Sequence, residues 1–124
     1  MNLVDSSGWL EYLADGKNAK FFASAIENTD ELIVSVINIY EIYKKVLLEK
    51  DENTAIQVVG LMQQAKVIDV TPAISIQAAK FSYEFKIPMA DSIIYATARV
   101  NDSIVWTQDI EFKNLDGVKY YKKN

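Results

Sequence analysis

Cysteine and histidine are both absent from this chain of 124 residues. Their absence excludes thiol nucleophiles, disulfide bonds, imidazole bases and metal sites built on sulfur or imidazole ligands. No stretch reaches the ~18 consecutive apolar residues of a membrane span, and an acid stands where a secretory signal would carry basic residues. We therefore expect a cytoplasmic protein in which any catalysis relies on carboxylates, hydroxyls, amines or amides.

Apolar residues make up 50% of the chain and charged residues 24%. These proportions are typical of a soluble globular protein, and the length suits one hydrophobic core. We expect a single domain over residues 1–124. Thirteen lysine and arginine residues face seventeen aspartate and glutamate residues, which gives a net charge of -4. Taken alone, this balance argues against binding to a phosphate backbone.

Short apolar runs alternate with helical patterns along the chain. Such runs are typical of strands in a parallel sheet that is covered by helices on both faces. The runs lie at residues 2–5, 31–35, 67–70, 103–106 and 118–121. The alternation of these runs with helical segments predicts an α/β fold.

Capping residues and a proline mark the ends of several predicted helices. Ser6 or Ser7 is expected to cap the first helix. Asn38, with Glu41 three residues later, forms a variant of the capping box at the start of another helix. Pro88 separates the last two helices, because its ring cannot continue an α-helix.

Four acidic residues are predicted to meet at one edge of the sheet. Asp5 ends the first strand, and Asp109 follows the run at 103–106. Asp91 lies in the first turn of an apolar helix, and Glu41 is flanked by apolar and aromatic residues. In open α/β sheets the ligand crevice lies beyond the carboxyl ends of the strands. These four side chains are therefore candidates for a shared site.

Each of the four acids also has a local structural explanation. Asp5 is a good helix cap, and Glu41 can pair with Lys45 one helical turn away. Asp91 in a first turn is favoured by the helix dipole, and Asp109 can stabilise its own turn. None of the four is strong evidence for a site when it is taken alone.

The joint placement of the four acids favours a cation site. Carboxylates that share a crevice raise one another's pKa unless a cation lies between them. Oxygen ligands without cysteine or histidine suit Mg²⁺ or Mn²⁺ best. A bound cation would attract phosphate locally despite the negative net charge. The lysines that are candidates to line such an approach are Lys44, Lys45, Lys113, Lys119, Lys122 and Lys123.

Four segments of the chain resemble PIN-domain ribonucleases of the VapC toxin type. They are residues 3–7 (LVDSS), 35–41 (SVINIYE), 90–94 (ADSII) and 107–112 (TQDIEF). The resemblance implies a three-layer PIN-like fold with helices on both faces of a short parallel sheet of strand order 3-2-1-4-5. It further implies an Mg²⁺- or Mn²⁺-dependent endoribonuclease, the toxin of a toxin-antitoxin pair, that forms a homodimer and binds a VapB-like antitoxin.

The resemblance also assigns roles to individual residues. It implies Asp5, Asp91 and Asp109 as metal ligands and Glu41 as the group that orients or deprotonates the attacking water. Two hydroxyl residues, Ser6 and Thr107, match positions that support the acids. The four implied catalytic residues are Asp5, Glu41, Asp91 and Asp109. Asn38 stands where many family members have serine or threonine.

Two other functions remain open at this point. A phospho-receiver domain is also α/β with an acidic Mg²⁺ pocket, but it pairs adjacent acids early and places its acceptor aspartate after the middle strand. Asp69 lies inside the run at 67–70 instead. The second alternative is a catalytically inactive PIN-like interaction module. Candidates for a partner surface, with core packing as the competing explanation, are Trp9, Tyr12, Phe21, Phe22, Leu61 and Met62.

Overall fold

The computed structural model describes residues 1–123, so Asn124 lies outside the described residues. Within that range five strands and six α-helices follow one another along the chain. The strands are β1 (Asn2–Val4), β2 (Leu32–Ser35), β3 (Lys66–Ile68), β4 (Ile104–Thr107) and β5 (Val118–Tyr120). The helices are α1 (Ser6–Leu13), α2 (Ala19–Ile26), α3 (Val36–Glu49), α4 (Glu52–Met62), α5 (Pro72–Phe85) and α6 (Met89–Val100). Short 3₁₀ turns lie at Thr29–Glu31 and Ile110–Phe112.

The five strands form one sheet in the order β3-β2-β1-β4-β5, and every strand pair is parallel. In the central strand β1, Leu3 is aligned with Ile33 of β2 and Val105 of β4. The predicted α/β fold with strand order 3-2-1-4-5 is confirmed. The order differs from the 2-1-3-4-5 order of flavodoxin-like receiver folds, which argues against the phospho-receiver alternative.

Helices cover both faces of the sheet because successive strand side chains point to opposite sides. Val4 belongs to a core cluster that includes Trp9 and Phe22, from the first two helices. Its neighbour Leu3 belongs to a second cluster that includes Ile94 and Tyr95, from α6. Both β1 side chains are fully buried. This two-sided burial explains why the strands read as continuous apolar runs.

Two predicted helix caps are wrong, whereas the alternative that Asp5 caps the first helix is confirmed. Asp5, rather than Ser6 or Ser7, is the N-cap of α1, and its side chain accepts a hydrogen bond from the amide of Gly8. Ser35 is the N-cap of α3 and forms the capping box with Asn38, so Glu41 takes no part in it. The physical reason is that each strand leads directly into the helix. The last residue with extended backbone is therefore in position to cap the helix that follows.

Three of the six candidates for a partner surface are core residues. Trp9 is 1% exposed, and Phe22 and Met62 are fully buried, so core packing explains them. Tyr12 and Phe21 are partly buried against the same core, whereas Leu61 is 39% exposed. Among residues 1–123 no helix combines the length and the apolar character needed to cross a bilayer.

Candidate active site

Asp5 lies at the carboxyl edge of the sheet, immediately after the central strand. Its backbone amide donates to the carbonyl oxygen of Trp106 at 3.1 Å, which holds it beside the end of β4. The residue is only 2% exposed. The parallel arrangement of β1 and β4 thus places this acid where the strands of the crevice meet.

Four hydrogen bonds hold the Asp5 carboxylate. Oδ1 accepts from the Gly8 amide at 2.9 Å and from the Ser7 hydroxyl at 2.8 Å. Oδ2 accepts from Thr107 Oγ1 at 2.7 Å and from the same Ser7 hydroxyl at 3.0 Å. Burial raises the pKa of Asp5 from 3.8 to about 6, although these hydrogen bonds act in the opposite direction. Burial wins because removing a carboxylate from water is costly when no cation is nearby.

Thr107, the last residue of β4, connects two of the acids. Its hydroxyl donates to Asp5 and accepts from the Asp109 amide at 2.8 Å. Asp109 Oδ1 in turn accepts from the Glu111 amide at 2.9 Å. The negative charge of Asp109 contributes to the raised pKa of Asp5. The predicted threonine therefore lies between Asp5 and Asp109.

Glu41 is held by a chain of hydrogen bonds from three segments. The Ser35 amide donates to Asn38 Oδ1 at 3.0 Å, and Asn38 Nδ2 donates to Ser6 Oγ at 3.1 Å. Ser6 Oγ then donates to Glu41 Oε1 at 2.6 Å. The suggested pairing of Glu41 with Lys45 is not formed, because Lys45 pairs with Glu49 at 3.0 Å.

The pKa of Asp91 shows most clearly that the acids influence one another electrostatically. It lies in the first turn of α6 and is partly buried. Its pKa is raised from 3.8 to about 7, and loss of hydration is the largest cause. The other contributions come from negative charges, in decreasing order Asp109, Asp5, Glu41 and Glu111. Four side chains from three separate parts of the chain thus act on one carboxylate.

The acids fit a hard divalent cation by their chemistry. All the donors are oxygens, and burial together with mutual repulsion leaves a deficit of positive charge that such an ion would fill. In the part of the chain that the structure describes, the single ion pair is Lys45–Glu49, so no lysine neutralises the acids at close range. In the same range no three acids already stand close enough to enclose an ion. Asp5, Glu41 and Asp109 are instead oriented by neighbouring hydroxyls or amides.

The six candidate lysines lie in three different settings. Lys122 and Lys123 line a cavity of about 530 Å³ together with Asp109 and Ser7. Lys44 and Lys45 line a smaller cavity beside Glu41. The others cover aromatic rings: Lys113 lies over Tyr120 and Lys119 over Trp106.

The sequence pattern of the PIN domain family matches residues 3–118. The chain belongs to the PIN domain family. This PIN domain is similar in fold to a toxin-antitoxin complex from Klebsiella pneumoniae, with a TM-score of 0.81, 20% identity and coverage of 99% of this chain and 100% of that chain. Curated protein sequences give no match.

Two further solved structures share the fold of this PIN domain. One is VapC20 of Mycobacterium tuberculosis, described as a Sarcin-Ricin loop cleaving toxin, with a TM-score of 0.78, 16% identity and coverage of 95% and 97% of the two chains. The other is DNA-bound VapBC from Salmonella typhimurium, with a TM-score of 0.76, 17% identity and coverage of 98% of both chains. The predicted family resemblance is thereby confirmed at the level of the PIN domain.

Three sets of hydrogen bonds at this edge of the sheet were not predicted from the sequence: those of Ser7 to Asp5, of Asn38 to Ser6 and of Asn18 to Gln108. Ser7 donates to both oxygens of Asp5, and its position two residues after the acid could have suggested this. The bond from Asn38 to Ser6 spans 32 residues of chain, and that from Asn18 to Gln108 spans 90. No local sequence pattern predicts contacts between residues so far apart along the chain, because packing of the helices creates them.

Proposed function

We propose that this PIN domain, a single domain over residues 1–124, is a metal-dependent endoribonuclease that acts in the cytoplasm as the toxin of a toxin-antitoxin pair. The observation that carries the proposal is the meeting of the acids at the carboxyl edge of the sheet, where Thr107 joins buried Asp5 to Asp109 and the charges of Asp109, Asp5 and Glu41 act on partly buried Asp91. Membership of the PIN family and the fold shared with toxin structures support it. The substrate would be an RNA phosphodiester bond.

The metal ligands in this proposal are Asp5, Asp91 and Asp109, which would hold Mg²⁺ or Mn²⁺. When bound, the ion would lower the pKa of a water and offset the charge that develops on the phosphate. Asp5 is oriented for this role by Ser7 and Thr107, which fix both of its oxygens. An Asp5 carboxylate that is already oriented favours affinity, because this ligand would need little reorientation on binding.

Glu41 is the proposed group that orients the attacking water and accepts its proton. Ser6 donates to Oε1 and fixes the rotation of the carboxylate, so Oε2 is the oxygen assigned to the water. Ser6 is itself oriented by Asn38. In this arrangement the Ser6 hydroxyl supports the reaction indirectly, because it orients Glu41. Asn38, which stands where many family members have serine or threonine, orients Ser6 through its side-chain amide.

The decisive experiment is an RNA cleavage assay of the purified protein. A panel of structured RNAs is incubated with Mg²⁺ or Mn²⁺, and a parallel series contains a chelator. We expect cleavage that the chelator abolishes and that Asp91→Asn lowers at least about a hundredfold, the ~3 kcal/mol scale of losing a principal electrostatic group.

The matched control for this assay is Asp30→Asn, which makes the same chemical change in the exposed 3₁₀ turn before β2. It should cleave like the wild type. Full activity of Asp91→Asn would contradict the assignment of the site. Absence of cleavage by the wild type on every RNA, together with tight binding of a partner, would favour the inactive interaction module.

The proposed antitoxin site is a groove of about 280 Å³ between α1, α3 and α4. Its apolar lining includes Leu10, Leu13, Val46 and Val58, and charged residues such as Lys45 and Glu49 stand at its rim. An apolar trough with a polar rim suits an amphipathic segment of a VapB-like antitoxin. Co-expression with the neighbouring small open reading frame should yield a stable, inactive complex. Two proteins that purify separately would contradict this partnership.

We also propose that the toxin is a homodimer. Large apolar side chains on α5 and α6 support this, since Ile76 is 60%, Met89 75% and Tyr83 81% exposed. Exposed apolar groups of this size frequently mark a protein interface. A mass measured by light scattering at twice the monomer mass is the expected result, and a mass of one chain would contradict it.

A further inference from the structure

The segment after β5 folds back onto the candidate active site. The amide of Tyr121 donates to the carbonyl oxygen of Thr107 at 2.9 Å, which extends the contact of β5 with β4. One residue later, the carbonyl oxygen of Lys122 accepts from Asn18 Nδ2 at 3.1 Å. The backbone of this segment is therefore fixed at two successive residues.

A buried pair of amides connects this segment to Asp109. Asn18 Nδ2 also donates to Gln108 Oε1 at 2.9 Å, and Gln108 lies between Thr107 and Asp109 in the sequence. The two amide residues are 3% and 5% exposed. Buried, hydrogen-bonded amides hold a local geometry strongly, because any rearrangement leaves polar groups unpaired. The loop that carries Asp109 and the segment that carries Lys122 therefore form one rigid unit.

Two lysines extend from this unit beside the acids. Lys122 and Lys123 are exposed, and both line the cavity of about 530 Å³ that contains Asp109 and Ser7. Neither ammonium is within 4.0 Å of a carboxylate among residues 1–123. By contrast, Lys119 is held over the Trp106 ring at 4.2 Å, and Lys45 is paired with Glu49. Two exposed cations that line the same cavity as Asp109 are available to an anionic ligand.

We propose that Lys122 and Lys123 bind backbone phosphates of the RNA strand that reaches Asp109, and that Asn18 and Gln108 are the residues that position them. The inference rests on the proposed nuclease function and names the element that holds its substrate. It also explains how a chain of net charge -4 binds a polyanion. Lys122 and Lys123 place two exposed positive charges beside the acids, where they can attract phosphate locally.

The test measures RNA binding separately from cleavage. Binding of a short fluorescein-labelled single-stranded RNA to the Asp91→Asn protein is followed by anisotropy at constant Mg²⁺ and increasing KCl. Replacing both lysines by alanine in that background should weaken binding about tenfold at low salt. It should also reduce the slope of log K against log salt by about 1.4, since each phosphate contact on a single strand contributes about 0.7.

Three further variants separate a specific role from a general one. Lys80→Ala removes an exposed charge from α5, away from the acids, and should leave affinity and slope unchanged. The double variant Lys122→Arg and Lys123→Arg should keep the affinity and slope of the Asp91→Asn background, because the charge is retained. Asn18→Ala should weaken binding, and the lysine replacements should then have a smaller effect than in its absence, because the two changes act on one unit.

The possible outcomes distinguish this inference from the proposed function. An unchanged salt slope in the double alanine variant, or an equal loss in Lys80→Ala, would overturn the role of the two lysines. The expected lysine dependence, together with a wild-type protein that cleaves no RNA, would support the phosphate contact and contradict the nuclease. A protein that binds no RNA at all would overturn both proposals.

Discussion

Asp5 combines a structural and a proposed chemical role in one side chain. It caps α1 by accepting a hydrogen bond from the Gly8 amide, and it accepts another from Thr107, 102 residues away in the sequence. It is also a proposed metal ligand. Capping requires only an acceptor oxygen, which asparagine also provides, whereas metal binding requires the charge. The two roles of Asp5 can therefore be separated by substitution.

Replacing Asp5 should give two different results for stability. Asp5→Asn keeps the cap and removes a buried charge, but its amide nitrogen cannot accept the hydrogen bond that Thr107 donates to Oδ2, so the free energy of unfolding without metal at pH 7 should change little. Asp5→Ala loses the cap and should cost about 1–2 kcal/mol. Both variants should be inactive on RNA. Urea unfolding with a chelator present measures the difference, and an equal loss of stability in the two variants would contradict the capping role.

At the level of elements, α1 is positioned against β1 and α2 more closely than most side chains would allow. A Cβ atom on Gly8 would lie 2.6 Å from both the Phe22 ring and Val4, so glycine is required for this approach. On another side of the same helix, Ser6, the first residue of α1, reaches Glu41 of α3. Helix packing, rather than proximity in sequence, thus assembles this half of the site.

The contact between α1 and α3 leads to a prediction for Ser6. Ser6→Ala should lower RNA cleavage about tenfold, since a hydrogen bond to a charged group contributes about 1.5 kcal/mol or more. The free energy of unfolding should also fall by about 1 kcal/mol or more, because Nδ2 of the buried Asn38 loses its acceptor, although the cap at Asp5 is kept. Ser6→Thr, which keeps a hydroxyl, should retain most of the activity. The control Ser24→Ala removes a hydroxyl from an exposed position of α2. Wild-type cleavage by Ser6→Ala would contradict the orienting role.

For the whole molecule, the acids at the sheet edge set how stability depends on pH. The pKa values of Asp5 and Asp91 are about 6 and about 7 in the folded chain, above their ordinary 3.8. Folding is therefore coupled to proton uptake by these two carboxylates between about pH 4 and about pH 7. Their contribution to stability is fully present below about pH 4 and is lost as the pH rises through 6 and 7. A divalent cation should compensate for that loss.

Unfolding experiments at several pH values test this linkage. With a chelator, the free energy of unfolding should fall as the pH rises from 5 to 8, and Asp91→Asn should show a weaker decrease. Added Mg²⁺ should stabilise the wild type more at pH 8 than at pH 5, because protons and the cation compete for the same oxygens. A wild-type stability that is equal at pH 5 and pH 8, with and without Mg²⁺, would contradict the electrostatic description of the site.

Much of the fold was predictable because its signals are local. Strands buried on both faces leave continuous apolar runs, and four-residue strands such as β2 and β4 lie within one residue of their predicted places. The break at Pro88 is confirmed, since α5 ends at Phe85 and α6 begins at Met89. The strand order came from the family resemblance rather than from periodicity, because pairing between strands depends on contacts that no local pattern records.

The sequence by itself determined which residue types were available and which edge of the sheet they occupy. Asp5 and Asp109 follow strands, and parallel strands have their carboxyl ends on one side. Only the tertiary structure decided what each side chain contacts. Ser6 reaches Glu41 and Asn18 reaches Gln108 because helices pack onto the sheet from distant parts of the chain. Composition and spacing constrain a chain locally, whereas burial, hydrogen-bond partners and electric field arise only when separate segments share the same space.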